Sequence, residues 1–197
     1  MARMSQIPFA QARSTHGRFA AGCPVGLVLH RTEGHYDNIL HAWTVGPNPD
    51  QTSAHFLVGK NEYQVVQLVD TNTVANHVRN DANPFYLGIE FESIGTAVRH
   101  RQDPATNRDP LTPYQYDIGR SIVNWICQLH GIPKVGPPTR DEMRACRGRW
   151  NGVLSHYDIA RSGLFRSTHE DEIQFADYMG FGIWPDVPRI LNDGFER

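Results

Sequence analysis

The chain has 197 residues, a fifth of them charged, and a formal net charge of −2 with histidine neutral. That length suits one domain able to bury a full core. The near-balanced charge argues against a nucleic-acid backbone or an anionic membrane surface as partner. Three cysteines, Cys23, Cys127 and Cys146, form no close pairs, so no disulfide framework is expected.

Residues 1–22 lack periodicity and read as a loosely ordered arm with at most one short helix; a single domain is expected over 23–197. Residues 25–30 are a continuous apolar run ending in His30, the pattern of a central strand covered on both faces. A helix is expected over 36–45, stopped by the turn-rich Gly46-Pro-Asn-Pro-Asp50. Two strands over 54–58 and 63–69, joined across Gly59-Lys-Asn-Glu62, suggest a hairpin.

Residues 86–92 alternate as a further strand, with Leu87, Ile89 and Phe91 on one face and Gly88, Glu90 and Glu92 on the other. An ion-paired or hydrated edge position is expected for Glu92, and Gly88 leaves room beside Glu90. The polar stretch 93–111 reads as a long loop bordering a cleft. The clearest helix follows: Thr112 as N-cap, Pro113 at N1, Gln115 closing a capping box, and Gly131 as its stop. Its apolar stripe is Ile118, Ile122, Trp125, Ile126 and Leu129. A short helix over 140–147 and another over 170–179 complete one mixed α/β domain, a central mixed sheet flanked by helices.

Four separated fragments carry the chemistry: Val25-Gly-Leu-Val-Leu-His30, Tyr86-Leu-Gly-Ile-Glu90, Gly152-Val-Leu-Ser-His156-Tyr-Asp158 and Ser167-Thr-His-Glu-Asp171. Two histidines, an acidic residue near the C-terminus and a strand glutamate are the parts of a zinc hydrolase, in which three protein ligands leave the fourth position to water. Any one of ten histidines taken alone is weak evidence, being more often a surface or hydrogen-bonded residue. The order of the set carries the signal.

Taken together, these fragments resemble the zinc-dependent N-acetylmuramoyl-L-alanine amidases, a family that includes wall-recycling amidases, phage lysozyme-type amidases and peptidoglycan recognition proteins. The resemblance spans roughly residues 24–180. It implies the fold of that family and one zinc ion held by His30, His156 and Asp171, with His169 or Glu170 as alternatives to Asp171. This chain lacks the Pro-Gly that often follows the third ligand. By the same resemblance Glu90 is the general acid/base, and His169, where relatives often carry Lys, helps hold a developing oxyanion. His77 would line the substrate groove, and His55 would support the site or core without binding metal.

The implied activity is hydrolysis of the amide between N-acetylmuramic acid and L-Ala in peptidoglycan or muropeptides, by a monomer that neither binds nucleic acid nor inserts into membranes. Without a signal-peptide-like segment, it is expected to be made in the cytoplasm and to act there, or on the wall after release or delivery by another system. Two other readings compete: a peptidoglycan-binding module without catalysis, and a peptidase using Cys23 or Cys146.

Overall fold

The computed structural model describes residues 2–79, 81–94, 109–166 and 175–183. Strand β1, Gly26–Arg31, is buried over its first five residues, as its unbroken apolar run predicts. It lies between two parallel neighbours, β4 (Tyr86–Phe91) and β5 (Val153–Ser155). Beyond β4 come β2 (Phe56–Val58), parallel to it, and β3 (Val65–Gln67), antiparallel to β2. The mixed five-stranded sheet therefore runs β3-β2-β4-β1-β5. The expected hairpin is β2–β3, with shorter strands than the alternation suggested.

Each face of the sheet is covered differently. Leu27, Leu29, Phe56, Leu87, Ile89 and Phe91 point to one side, into the largest core cluster, where helix α2 (Pro113–His130) covers them. Truncating one of these, Ile89→Ala for instance, should cost about 2–5 kcal/mol. Helix α2 starts and stops as its sequence predicts. Thr112 and Gln115 form the capping box, Pro113 sits in the first turn, and Gly131 ends the helix at φ 66°. Gln115 also donates from Nε2 to the Glu92 carbonyl oxygen at 3.0 Å, tying the helix start to the end of β4.

The buried face of α2 is rotated from the expected stripe. Gly119 and Val123 are inside with Ile122 and Ile126, while Leu129 is 48% exposed. The reason is close approach: a Cβ at Gly119 would meet Phe181 and Phe91 ring atoms at 2.5 and 2.8 Å, so the helix seats its small residue on the core.

On the opposite face two separate clusters form. Tyr36 and Trp43 of helix α1 (Tyr36–Thr44) pack over Leu57 and Val66 near one edge. Met143 of α3 (Arg140–Ala145) and Ile159 of α4 (His156–Ser162) pack over Val28, Tyr86 and Leu154 towards the other. Helix α3 begins with a capping box of Thr139 and Glu142. The strip of β4 and β1 between the two clusters is left to polar side chains.

The N-terminal segment forms no helix between residues 2 and 22. It runs instead along the outer edge of β3, with a parallel bridge between Phe9 and Gln67, and buries Ile7, Ala12 and Phe19. Backbone bonds from Ala10 and Ala12 to Gln67 and Leu68 fasten it there. An edge strand covered in this way offers no ladder to another chain. Of the helix expected over 170–179, Phe175–Gly180 is α5; its start lies outside the described residues. Among the described residues no helix is long and apolar enough to cross a membrane.

Candidate metal and catalytic site

Glu90, His30 and His156 come from three adjacent parallel strands, β4, β1 and β5, each at or just past its carboxyl end. That end of parallel strands is where α/β sheets commonly place ligands, because the following loops diverge there. His30 and Glu90 are register partners. Their side chains share the sheet face that the two flanking clusters leave open, with His30 Nδ1 3.8 Å from Glu90 Oε1. The Glu90 side chain is 13% exposed and that of His30 only 1%, so the carboxylate reaches the cavity over the imidazole.

His156 is the first residue of α4, and a capping box sets its direction. Asp158 Oδ2 accepts from the Ser155 backbone N–H at 2.7 Å and from the Ser155 hydroxyl at 2.8 Å, while Ser155 Oγ accepts from the Asp158 N–H. Tyr178 Oη also donates to Asp158 Oδ2, at 3.0 Å. Asp158 is thus engaged in holding the turn. Burial raises its pKa above the usual carboxylate value even though Ser155 and Tyr178 favour the charged form. The His30 and His156 rings stand edge to face with centroids 5.0 Å apart.

His77 sits beneath this pair, nearly buried. Its Nδ1 is 2.9 Å from His30 Nε2, and its Nε2 is 3.0 Å from the Tyr86 carbonyl oxygen. Asn83 Oδ1 accepts from the backbone N–H groups of His77 and Val78, which fixes the loop that carries the ring. Burial, with His30 and His55 close by, drives its pKa well below the ordinary histidine value. Gly88 is the floor under His77: a Cβ there would meet the ring's Cγ and Nδ1 at 2.6 Å. The space that this glycine leaves is therefore taken by His77, where the sequence suggested room for Glu90.

His55 is fully buried and away from the cavity. Gly88 N–H donates to its Nδ1 at 3.0 Å, so Nε2 carries the proton and donates to the Thr73 carbonyl oxygen at 2.9 Å. Burial pushes its pKa down to about 4. Glu92 is also buried. It accepts from the Lys60 backbone N–H at 2.8 Å and lies 3.4 Å from His35 Nδ1, so of the ion-paired or hydrated edge position expected for it the pairing is found, with the carboxylate buried.

Over the His30–Glu90–His156 triangle opens a cavity of about 1390 Å³, bounded by α1 residues such as Asn38 and Trp43, the 47–52 loop, and Arg79 and Arg166. Asp171 and His169 lie outside the described residues. Among the described residues no three His, Cys, Asp or Glu side chains are grouped to hold a metal. The two converging imidazoles supply two of the three donors that a zinc centre requires, and a carboxylate stands beside them, so this donor set fits zinc. Cys146 is half-buried on α3's end and Cys23 exposed on the arm, and neither lines the cavity.

The model of the N-acetylmuramoyl-L-alanine amidase family matches residues 21–174 of this sequence. The chain belongs to that family. Solved structures agree with the fold. The hydrolase AmiA of Staphylococcus aureus aligns with a TM-score of 0.60 at 14% identity, covering 93% of this chain and 82% of AmiA. The amidase AmiD of Escherichia coli, solved with anhydro-N-acetylmuramic acid-L-Ala-D-γ-Glu-L-Lys, gives 0.57 at 22% identity over 92% of this chain and 65% of AmiD. The endolysin amidase LysCS of Clostridium intestinale gives 0.51 at 14% identity over 87% and 91%. A comparison with curated proteins by sequence found no match. Within the amidase family, then, this chain presents His30, His156 and Glu90 at the carboxyl ends of the central parallel strands. His77 and Gly88 are the site residues whose contacts sequence reasoning missed. The one hint was a glycine on the strand face otherwise occupied by Glu90 and Glu92.

Proposed function

We propose that this amidase cleaves the amide between the lactyl group of N-acetylmuramic acid and L-Ala of the stem peptide, using one zinc ion. The convergence of His30, His156 and Glu90 in a large cavity carries the proposal. His30, His156 and Asp171 are the residues to hold the ion; bound there, zinc supplies a Lewis acid that polarises the scissile carbonyl and acidifies water.

The chain's own residues do the rest. Glu90, partly buried and reaching the cavity, takes a proton from the attacking water and returns it to the leaving amine of L-Ala. His169 donates a hydrogen bond to the oxyanion as the carbonyl becomes tetrahedral. A cavity of about 1390 Å³ over the triangle gives room for groups flanking the scissile amide, so substrate positioning supplements the chemistry. In this reading the substrate is wall peptidoglycan or its soluble fragments, reached in the cytoplasm or after release or delivery to the wall.

Incubating the zinc-loaded protein with defined muropeptides and resolving the products by mass spectrometry tests the reaction. Free stem peptides beginning with L-Ala are the expected products. Muropeptides that stay intact at high enzyme concentration would refute it. Parallel turnover of insoluble sacculi distinguishes a wall-lytic from a fragment-recycling enzyme.

A further inference from the structure

We propose that the N-terminal segment is a wall of the substrate site, that this wall takes the amino-sugar half of the substrate, and that His16 on it is a specificity-determining residue. The segment follows β3 and then turns towards the cavity. Arg13 N–H donates to the Trp43 carbonyl oxygen at 3.0 Å. His16 N–H donates to the Val74 carbonyl at 2.8 Å, and Val74 N–H returns to the Gly17 carbonyl at 2.9 Å. This two-way exchange fixes residues 16 and 17 beside the stretch that carries Asn76. His16 thereby lines the cavity together with Trp43, Asn48, Gln51, Thr52 and Asn76. Residues before 21 lie outside the stretch that the family model matches, so membership of the family gives them no role.

Asn76 knots three distant segments into one surface. Its Nδ2 donates to Ser14 Oγ at 2.7 Å and to the Gln51 carbonyl oxygen at 2.9 Å, and its Oδ1 accepts from Asn83 Nδ2 at 3.3 Å. Ser53 closes the knot, its hydroxyl donating to the Ser14 carbonyl at 2.8 Å and accepting from Asn76 N–H at 3.0 Å. Trp43 Nε1 donates to Thr52 Oγ1 at 2.9 Å, and Asn48 binds the Thr52 backbone through both of its amide atoms. A wall bonded in this way before a ligand arrives costs little ordering on binding. Its chemistry is imidazole, carboxamide and hydroxyl beside an indole. Mixed donors and acceptors of that kind match the hydroxyl and acetamido groups of a sugar ring. Asp50 on the same loop accepts from hydroxyls and repels the carboxylates of a stem peptide. The guanidinium groups that suit those carboxylates, Arg79 and Arg166, stand on other segments.

The inference rests on the proposed muramoyl-amide substrate, and binding measurements separate the two. Deleting the segment would expose the core that Ile7, Ala12 and Phe19 complete, so point variants are used; the His16 side chain is exposed and its loss leaves the fold intact. The full chain carrying Glu90→Gln, which keeps substrate whole, is titrated calorimetrically with two probes. One is N-acetylmuramoyl-L-Ala-D-Glu; the other is the same dipeptide acylated by lactate alone, which has the scissile amide and no sugar. Adding His16→Ala should weaken the muramoyl probe about 3- to 10-fold, the worth of one hydrogen bond, and leave the lactyl probe within twofold. Ser14→Ala, which takes an acceptor from Asn76, should act on the same probe alone. Equal weakening of both probes, weakening of the lactyl probe alone, or no change in either overturns the inference, as does a parent that binds neither. If the unsubstituted protein cleaves no muropeptide while His16→Ala still weakens only the muramoyl probe, the functional proposal fails and this one stands.

Discussion

His30 and Glu90 are register partners on neighbouring parallel strands, and their functional atoms, Nδ1 and Oε1, are 3.8 Å apart. Hydrogen bonding of the ladder thus sets the spacing of a candidate ligand and a candidate base, independently of any loop. Glu90→Gln keeps the shape and removes the base. Amide hydrolysis should fall about 100- to 10,000-fold with zinc content unchanged, measured by product formation and metal analysis on one sample.

Ligand binding to the folded state alone stabilises it. Zinc at about a hundred times its Kd should add about 2.7 kcal/mol to the unfolding free energy of the parent. In His156→Ala that increment should vanish. Thermal unfolding with and without chelator measures both, and an equal zinc-dependent rise in the variant would remove His156 from the ligand set.

The Ser155–Asp158 capping box aims His156. Ser155→Ala leaves the first amides of α4 without their acceptor, an expected loss of about 1 kcal/mol, or a fall in Tm of about 2–4 °C for a chain of this size. Calorimetry reads the shift. Zinc binding should weaken with it, because the cap and the ligand occupy consecutive residues.

Gly88→Ala would drive a methyl group to within 2.6 Å of the His77 ring. That contact must be relieved by moving the ring, since strand β4 is locked between β1 and β2. The expected destabilisation is about 1–3 kcal/mol, read from denaturant midpoints.

His55 gives the fold a pH dependence of definite sign. Burial lowers its pKa from 6.5 to about 4. Unfolded chains therefore take up a proton between pH 6.5 and 4 that the folded chain refuses, and stability is lost as pH falls through that window. The single group is worth on the order of 3 kcal/mol across it. His77, shifted in the same direction, adds to the loss. Urea unfolding at pH 7 and pH 4.5, without metal, should show the drop; a flat profile would mean that His55 is reached by solvent.

Much of the architecture is local in origin and so was visible beforehand. The apolar run of β1, the alternation of β4 and the Thr112–Gln115 cap of α2 each depend on neighbours within a few residues. His30 and Glu90 could be singled out because each lies near the end of such an element, and His156 because its fragment resembles one of the family's. The rotation of α2 onto Gly119, the burial of Glu92 and the docking of the 2–22 segment on β3 were not visible, since each is set by contacts far apart in the sequence.

Order of residues along the chain was therefore enough to place β1, β4 and α2 and to point to the family, because hydrophobic period and capping chemistry act over one or two turns, whereas the three-residue β5 and the short α4 are too brief to show a period. Only the tertiary structure decided what lies behind them. His77 reaches His30 across 47 residues of chain, and a hydrogen bond between two imidazoles has no spacing in sequence. It exists because two separate clusters cover the sheet on either side of it, and that arrangement is a property of packing.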